Sequence, residues 1–431
     1  MNKVNKPIRV VLLCHFSSPY IRERLKLQQG NYTYKDAANW IVDIINSLKN
    51  RNDIDLHVIA PHIGMRRATQ EFYDENVHYY FFRKELLSPW GGVEERIRPQ
   101  AKRNFPRNRK VIRRFISRIK PDFFLLIGAE NAYFSIAGLE IENIPMMLHL
   151  QTVYANPDRL KNTGRVDKQR WDVEIQLFRK IPYIACTGRM YYELVKGYNP
   201  DAIIFPLCWP APVFPKIQEI EKKYDFVYFA RYLNKSKGFD NAIEAMGLFV
   251  KKYPNAKFLA VGSPDSEWPQ YEQRIKELGL ENKLTIHGTF IEYTELLKYV
   301  KQAKYSLLPI TMDVMPGTIL ESMRMGMPVV TCRTSGTPSL NAIRETVLIS
   351  DIGDSKGLCE NMFRLFENPD LFYLLRDNSY KYLEEQDNKE SNNAEKMVQQ
   401  FKVVIDHYHN GTPIPQELLY NLEENVDYRK K

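Results

Sequence analysis

The stretch Tyr305–Arg333, YSLLPITMDVMPGTILESMRMGMPVVTCR, decides how the rest of the chain is read. An apolar run stops at Pro309, a short loop carries Asp313, and a helical segment opens near Gly317. Gly326-Met327-Pro328 ends that segment before a second apolar run, PVVTC. Strand, loop, helix, strand is the repeating unit of a parallel sheet, whose loops at the carboxyl ends of the strands take ligands. The first turn after Pro316-Gly317-Thr318 has N–H groups without intrahelical acceptors, an anion site suited to phosphate. Glu321 lies one turn beyond Thr318 on the same face, and helix side chains lean toward the N-terminus, so its carboxylate points at that site. Thr318-x-x-Glu321 equally fits a capping box that spends both side chains on the helix start. From these residues alone the two readings stand level.

Outward from this stretch, apolar runs alternate with helical patterns. In the first half the runs are Ile8–Cys14, Leu56–Ala60, Val77–Phe82, Phe123–Ile127, Pro145–Leu150 and Tyr183–Cys186, with helices expected over Asp36–Leu48, Arg109–Ile119, Asp167–Arg179 and Tyr191–Val195. In the second half they are Phe226–Phe229, Phe258–Val261, Leu284–His287, Tyr305–Leu308, Val329–Thr331 and Val347–Ser350. This order predicts an α/β chain with parallel sheets covered on both faces. Pro206, Pro210, Pro212 and Pro215 interrupt it, since neither helix nor central strand continues through such a run. The expected division is a first Rossmann-like domain over 1–206, a linker over 207–224, a second Rossmann-like domain over 225–390, and a C-terminal helix and tail over 391–431 that returns toward the first domain. A length of 431 residues suits two or three domains.

The chain carries 61 Lys and Arg against 52 Asp and Glu, a net charge of +9. The excess is uneven: between Arg96 and Lys120 there are eleven basic residues and no acid. Val111, Phe115 and Ile119, widened by Ile112 and Ile116, form an apolar stripe at helical spacing, so this is an amphipathic helix with a basic outer face. The ordinary fate of such a face is solvation; the functional alternative is docking through 96–120 on anionic lipid headgroups or a phosphate-bearing acceptor. Nucleic acid is not expected, because no stacking aromatics interleave the charges. Five scattered cysteines without C-x-x-C spacing point to reduced thiols, a cytoplasmic setting and no zinc site. No apolar run is long enough to span a membrane.

After the first strand of the second half stands ARYLNKSKGFDNAIEA. Arg231 and Lys237 flank the expected turn, on the same sheet edge as the Asp313 loop, and two fixed cations beside a helix start suit a diphosphate. The fingerprint G-x-G-x-x-G and the P-loop are absent, which argues against a dinucleotide oxidoreductase. Asp53-Ile54-Asp55 has D-x-D spacing but opens a strand instead of closing one, so no metal is expected there. His149 stands near the end of the run MMLHL and is expected at the carboxyl edge facing an interdomain cleft.

Two Rossmann-like halves, R-x(n)-K-G in the second, and D-x-M-P-G-T-I-L-E-S-M-R-M-G-M-P-V-V-T together resemble the retaining GT-B glycosyltransferases of family 4 (glycosyl transferases group 1), most strongly over Asp225–Asp354. The resemblance implies two Rossmann-like domains facing a cleft, and a sugar moved from a nucleotide diphosphate sugar to a saccharide or lipid-linked saccharide acceptor. It implies that Glu321 binds the ribose hydroxyls and Asp313 the hydroxyls of the donor sugar. The backbone of Met315, Gly317 and Thr318 holds sugar and phosphate, Arg231 and Lys237 hold the diphosphate, and His149 stands near the donor sugar. No metal or other cofactor is implied. Asp313 stands where the family has Glu, and Arg231 and Lys237 are six apart where five is commoner, which leaves Lys235 as a rival to Lys237. A non-catalytic nucleotide-binding module and a nucleotide-sugar epimerase are the alternatives.

Overall fold

The structure, a computed structural model, describes residues 6–27, 38–62, 65, 67–84, 104–156, 167–210, 214–264, 266–288, 292–311, 313, 315–334 and 336–422. The start of the expected Asp36 helix, the basic residues 96–103, linker residues 211–213 and the tail from 423 lie outside this set. The chain forms two compact units. One is built from residues up to 157 with 166–212 and 389–425, the other mainly from 213–388.

The first unit is organised on β1 (Ile8–Leu13), β2 (Ile54–His62), β3 (Thr69–Asp74), β4 (Val77–Arg83), β5 (Phe123–Ile127), β6 (Met146–His149), β7 (Tyr183–Cys186) and β8 (Ile203–Pro206). Among the described residues these make one sheet in the order β3-β4-β2-β1-β5-β6-β7-β8, parallel except for the edge pair β3/β4. Every residue of β5 is buried, as expected where both faces of a parallel sheet are covered. The helix Pro106–Ile119 buries Ile112, Phe115, Ile116 and Ile119. Much of its basic face is spent inside the unit: Arg109 and Arg113 pair with Glu140, and Arg118 with Glu71. Lys110 and Arg114 stay exposed. The helix Asn393–Asn410 sets Met397, Val398, Phe401 and Val404 into this unit's core, with the Phe401 ring 4.6 Å from that of Phe123.

The second unit is organised on β9 (Tyr224–Leu233), β10 (Phe258–Pro264), β11 (Leu284–His287), β12 (Ala303–Leu308), β13 (Val329–Cys332) and β14 (Leu348–Ser350). All are parallel, in the order β11-β10-β9-β12-β13-β14. The chain winds from β9 outward through β10 and β11, then returns to the other side of β9 with β12. The switch point of the sheet, where α/β folds open a crevice at the carboxyl ends, is therefore between β9 and β12. β9 is longer than its apolar run: the ladder with β10 shifts register between Val261 and Ser263, then resumes with Ser263 opposite Tyr232. Arg231 consequently sits inside the strand, not in the turn after it, a correction that follows from pairing the local pattern does not contain.

Candidate functional site

Two loops meet at this switch point. After Leu233 the chain makes a short 3-10 turn over Lys235–Lys237, held by Asn234, whose Oδ1 accepts from the Lys237 N–H at 3.2 Å and from Ser236 Oγ at 2.8 Å. The buried Tyr228 donates its hydroxyl to the Lys237 carbonyl at 3.0 Å. Gly238 follows at φ +76°, and a Cβ there would lie 1.8 Å from the carbonyl oxygen of Pro309. Only glycine both adopts this backbone and lets the turn press onto the end of β12. Thr311 adds a hydrogen bond from Oγ1 to the Ser236 carbonyl at 3.3 Å.

The contact brings Lys237 Nζ to 2.6 Å from Asp313 Oδ2, with the side chains 27% and 35% exposed. A pair as exposed as this stabilises a fold by about 1 kcal/mol at most, so stability does not account for its placement. An ammonium has three donors, and one carboxylate contact leaves capacity for a second anion. Arg231 is exposed, its guanidinium 5.6 Å from the Tyr232 ring centre, and has no ion-pair partner among the described residues. Lys235 is exposed as well, and among the described residues its ammonium has no carboxylate partner. The structure thus separates the two lysines: Lys237 is tied to the Asp313 loop and Lys235 is not.

Beyond Asp313 the helix Gly317–Arg324 starts with Pro316 at its N-cap and no side-chain cap. The Ile319 N–H returns to the Pro316 carbonyl at 3.1 Å, leaving those of Gly317 and Thr318 without intrahelical acceptors. A Cβ placed on Gly317 would meet nothing within 4 Å, so the space before the helix start is open. Met315 is half-buried against the apolar cluster beneath. The far end is anchored: Gly326 ends it at φ +71° beneath the Tyr380 hydroxyl, and Arg324 forks onto Asp387 at 2.8 and 2.6 Å.

The capping-box reading fails here. Thr318 Oγ1 is buried with no hydrogen-bond partner, and Glu321 Oε1 instead accepts from the Tyr293 hydroxyl at 2.8 Å. Pro316, not Thr318, takes the N-cap position because its extended backbone and missing N–H suit the turn before a helix. Burial pushes the Glu321 carboxyl pKa up, partly offset by the Tyr293 hydrogen bond. A half-buried carboxyl with an upward shift, beside open space and free N–H groups, is the pattern of a binding site.

In the first unit His149 closes β6 at the carboxyl edge, as expected, but its ring is fully covered, at 0% exposure. Neither ring nitrogen has a hydrogen-bond partner among the described residues. Burial lowers its pKa to about 3, so the imidazole is neutral at ordinary pH. Sequence reasoning did not single out Asn234, Thr311 or Tyr293. Asn234 was legible as a turn residue three before Lys237. Tyr293 was not, because it lies 28 positions from Glu321.

Residues 212–386 match the family model described as glycosyl transferases group 1. A 2-deoxystreptamine N-acetyl-D-glucosaminyltransferase from Niallia circulans is 25% identical over 151 residues, covering 35% of this chain and 38% of that protein. An amylovoran biosynthesis glycosyltransferase from Erwinia amylovora is 28% identical over 139 residues, covering 31% of this chain and 34% of that protein. The matches thus span little more than a third of these curated relatives. Among solved structures, sucrose-phosphate synthase from Thermosynechococcus elongatus superposes with a TM-score of 0.71 at 13% identity, covering 92% of this chain and 99% of that one. At that identity the likeness shows fold alone. The fold is that of GT-B glycosyltransferase structures, and the resemblance to the glycosyl transferases group 1 model lies in residues 212–386.

Proposed function

We propose that this protein is a retaining glycosyltransferase of the family 4 type, moving a hexose-type sugar from a nucleotide diphosphate sugar to a saccharide or lipid-linked saccharide acceptor in surface polysaccharide or glycan assembly. The observation that carries the reading is the Lys237–Asp313 pair, held at the switch point beside a helix start with open space before it. In this reading Arg231, Lys237 and the Gly317 and Thr318 N–H groups bind the diphosphate. Asp313 and the Met315 backbone take the donor sugar, and Glu321, oriented by Tyr293, takes the ribose hydroxyls. His149 is the first unit's candidate for a sugar hydroxyl.

The acceptor oxygen forms a bond to the anomeric carbon on the face from which the phosphate oxygen departs, and the acceptor proton passes to that phosphate. Negative charge grows on the diphosphate as the bond breaks, and fixed cations aimed at it lower the barrier. No metal or other cofactor is required in this scheme. The reading places the protein in the cytoplasm, where its five buried thiols stay unpaired. Peripheral contact with an anionic membrane through 96–120 rests on Lys110, Arg114 and the residues up to 103, which lie outside the described set; flotation with anionic liposomes at low salt tests it, and no binding removes it.

The deciding experiment incubates the protein with a panel of nucleotide sugars, with and without lipid and glycan extracts, and identifies the products by mass and by NMR. Acceptor-dependent transfer with the anomeric configuration kept supports the reading. A changed nucleotide sugar without acceptor means an epimerase, and binding without product means a non-catalytic module.

A further inference from the structure

At the opposite, amino-terminal edge of the first sheet, Asp55 and His57 project from one face of β2, and His78 stands directly opposite His57 on β4. Asp55 Oδ1 is 3.2 Å from His57 Nε2 and 3.9 Å from His78 Nε2, and the three ligand atoms all lie within 4.8 Å of one another. The two imidazoles are stacked, with centres 4.6 Å apart and planes 10° from parallel. A tetrahedral zinc ion with bonds near 2.0–2.1 Å needs its ligand atoms about 3.3 Å apart. The three atoms are therefore near that spacing, and binding one ion requires the two rings to turn out of their stack, because the in-plane lone pairs of parallel rings do not converge.

The surroundings orient these atoms as ligands. His57 Nδ1 meets the Tyr80 hydroxyl at 3.2 Å, which leaves Nε2 for the cluster. Its side chain is only 8% exposed, and Nε2 faces Asp55 Oδ1 at 3.2 Å. Arg9 Nε holds the other Asp55 oxygen, Oδ2, at 3.1 Å, fixing the carboxylate with Oδ1 toward the histidines. Partners behind the ligands that set ring and carboxylate orientation are what metal sites use. Asp53, the other acid of the D-x-D triplet, is engaged elsewhere, by Arg51 and Lys402.

We propose that Asp55 Oδ1, His57 Nε2 and His78 Nε2 bind one divalent zinc-like cation, which clips β4 to β2 at the end of the sheet remote from His149. Two imidazoles and one carboxylate suit zinc among the late first-row ions, with the fourth position open to water. Protein stripped with a chelator and titrated with ZnCl2 in calorimetry takes up one equivalent with micromolar or tighter affinity. Cobalt in place of zinc gives the visible absorption of tetrahedral nitrogen and oxygen coordination. His78→Ala, at a residue side chain 42% exposed, and the near-isosteric Asp55→Asn each weaken uptake by about 10-fold or more, and Tyr80→Phe by about 10-fold, through loss of ring orientation. His409→Ala leaves uptake unchanged. Absence of stoichiometric uptake overturns the proposal, as does uptake that survives both His78→Ala and Asp55→Asn with circular dichroism unchanged. None of these readouts depends on sugar transfer.

Discussion

The two units share an architecture and differ at the same place in it. At the carboxyl edge of the second sheet the polar groups are accessible: a half-exposed Lys237–Asp313 pair, a free-standing Arg231, and a helix start open to solvent. At the carboxyl edge of the first, His149 is fully covered and both its nitrogens lack partners. One edge keeps accessible charge, with Lys237 compensated by Asp313 and Arg231 without an ion-pair partner among the described residues. The other holds a neutral, fully buried ring, and a buried polar group is costly unless something bonds to it. The lesson is that repeating a fold does not repeat a site: the second sheet's edge is shaped by Gly238 against the Pro309 backbone, whereas beside His149 the positive-φ glycine, Gly128, lies against the Glu130 carboxylate.

Substitutions can break this contrast. The largest effect expected on turnover is that of Arg231→Ala, which in the proposed scheme removes a cation from the developing diphosphate charge and lowers turnover by on the order of 10²- to 10³-fold; unchanged turnover sinks its assignment. Gly238→Ala forces a Cβ into the Pro309 carbonyl and destabilises the second unit by about 3–5 kcal/mol, read by urea unfolding. Glu321→Gln weakens donor binding by about 2 kcal/mol, on the order of thirty-fold, through loss of charged hydrogen bonds. The same change stabilises the donor-free protein at neutral pH: with a raised folded pKa, the wild-type carboxyl costs stability as pH rises through and above the ordinary carboxyl range. A melting-temperature series from pH 4 to 8 shows the variant gaining on wild type toward the upper end.

His149 works in the other direction. Its folded pKa is lowered to about 3, so the unfolded chain binds a proton that the folded one refuses, and stability drops as pH falls from about 6.5 toward 3. His149→Gln makes that acid limb shallower, and its absence from the limb, with the fold retained, refutes a buried neutral ring. The smallest effect is that of Asp313→Asn on stability, within about 1 kcal/mol because the pair is exposed, while donor affinity falls by more. Equal and small losses in both would reduce the pair to a surface ion pair.

Most of the sheet was legible because buried parallel strands are written as unbroken apolar runs, such as FFLLI of β5 and VVTC of β13. β3 was missed, since Thr69–Asp74 is an edge strand with an alternately exposed pattern and no apolar run, and β8 was hidden because it ends in the proline-rich stretch. Of the site, the helix start and the residue types were readable locally. The pairings were not: Lys237 with Asp313 requires β9 beside β12, and Glu321 with Tyr293 requires two helices to be packed. The histidines opposite one another on β2 and β4 depend in the same way on register, which a single strand does not encode.

The seating of Asn393–Asn410 in the first unit's core also sets a timetable for synthesis. Because chains emerge from the amino end and domains generally fold as they appear, residues 213–388 can close their own sheet while the earlier unit still lacks Phe401 over Phe123. The half made first is the half finished last, and its bare apolar slot stays open through the making of nearly two hundred further residues. A chain truncated before residue 393 should therefore carry a completed second unit attached to a first unit whose apolar slot is still bare.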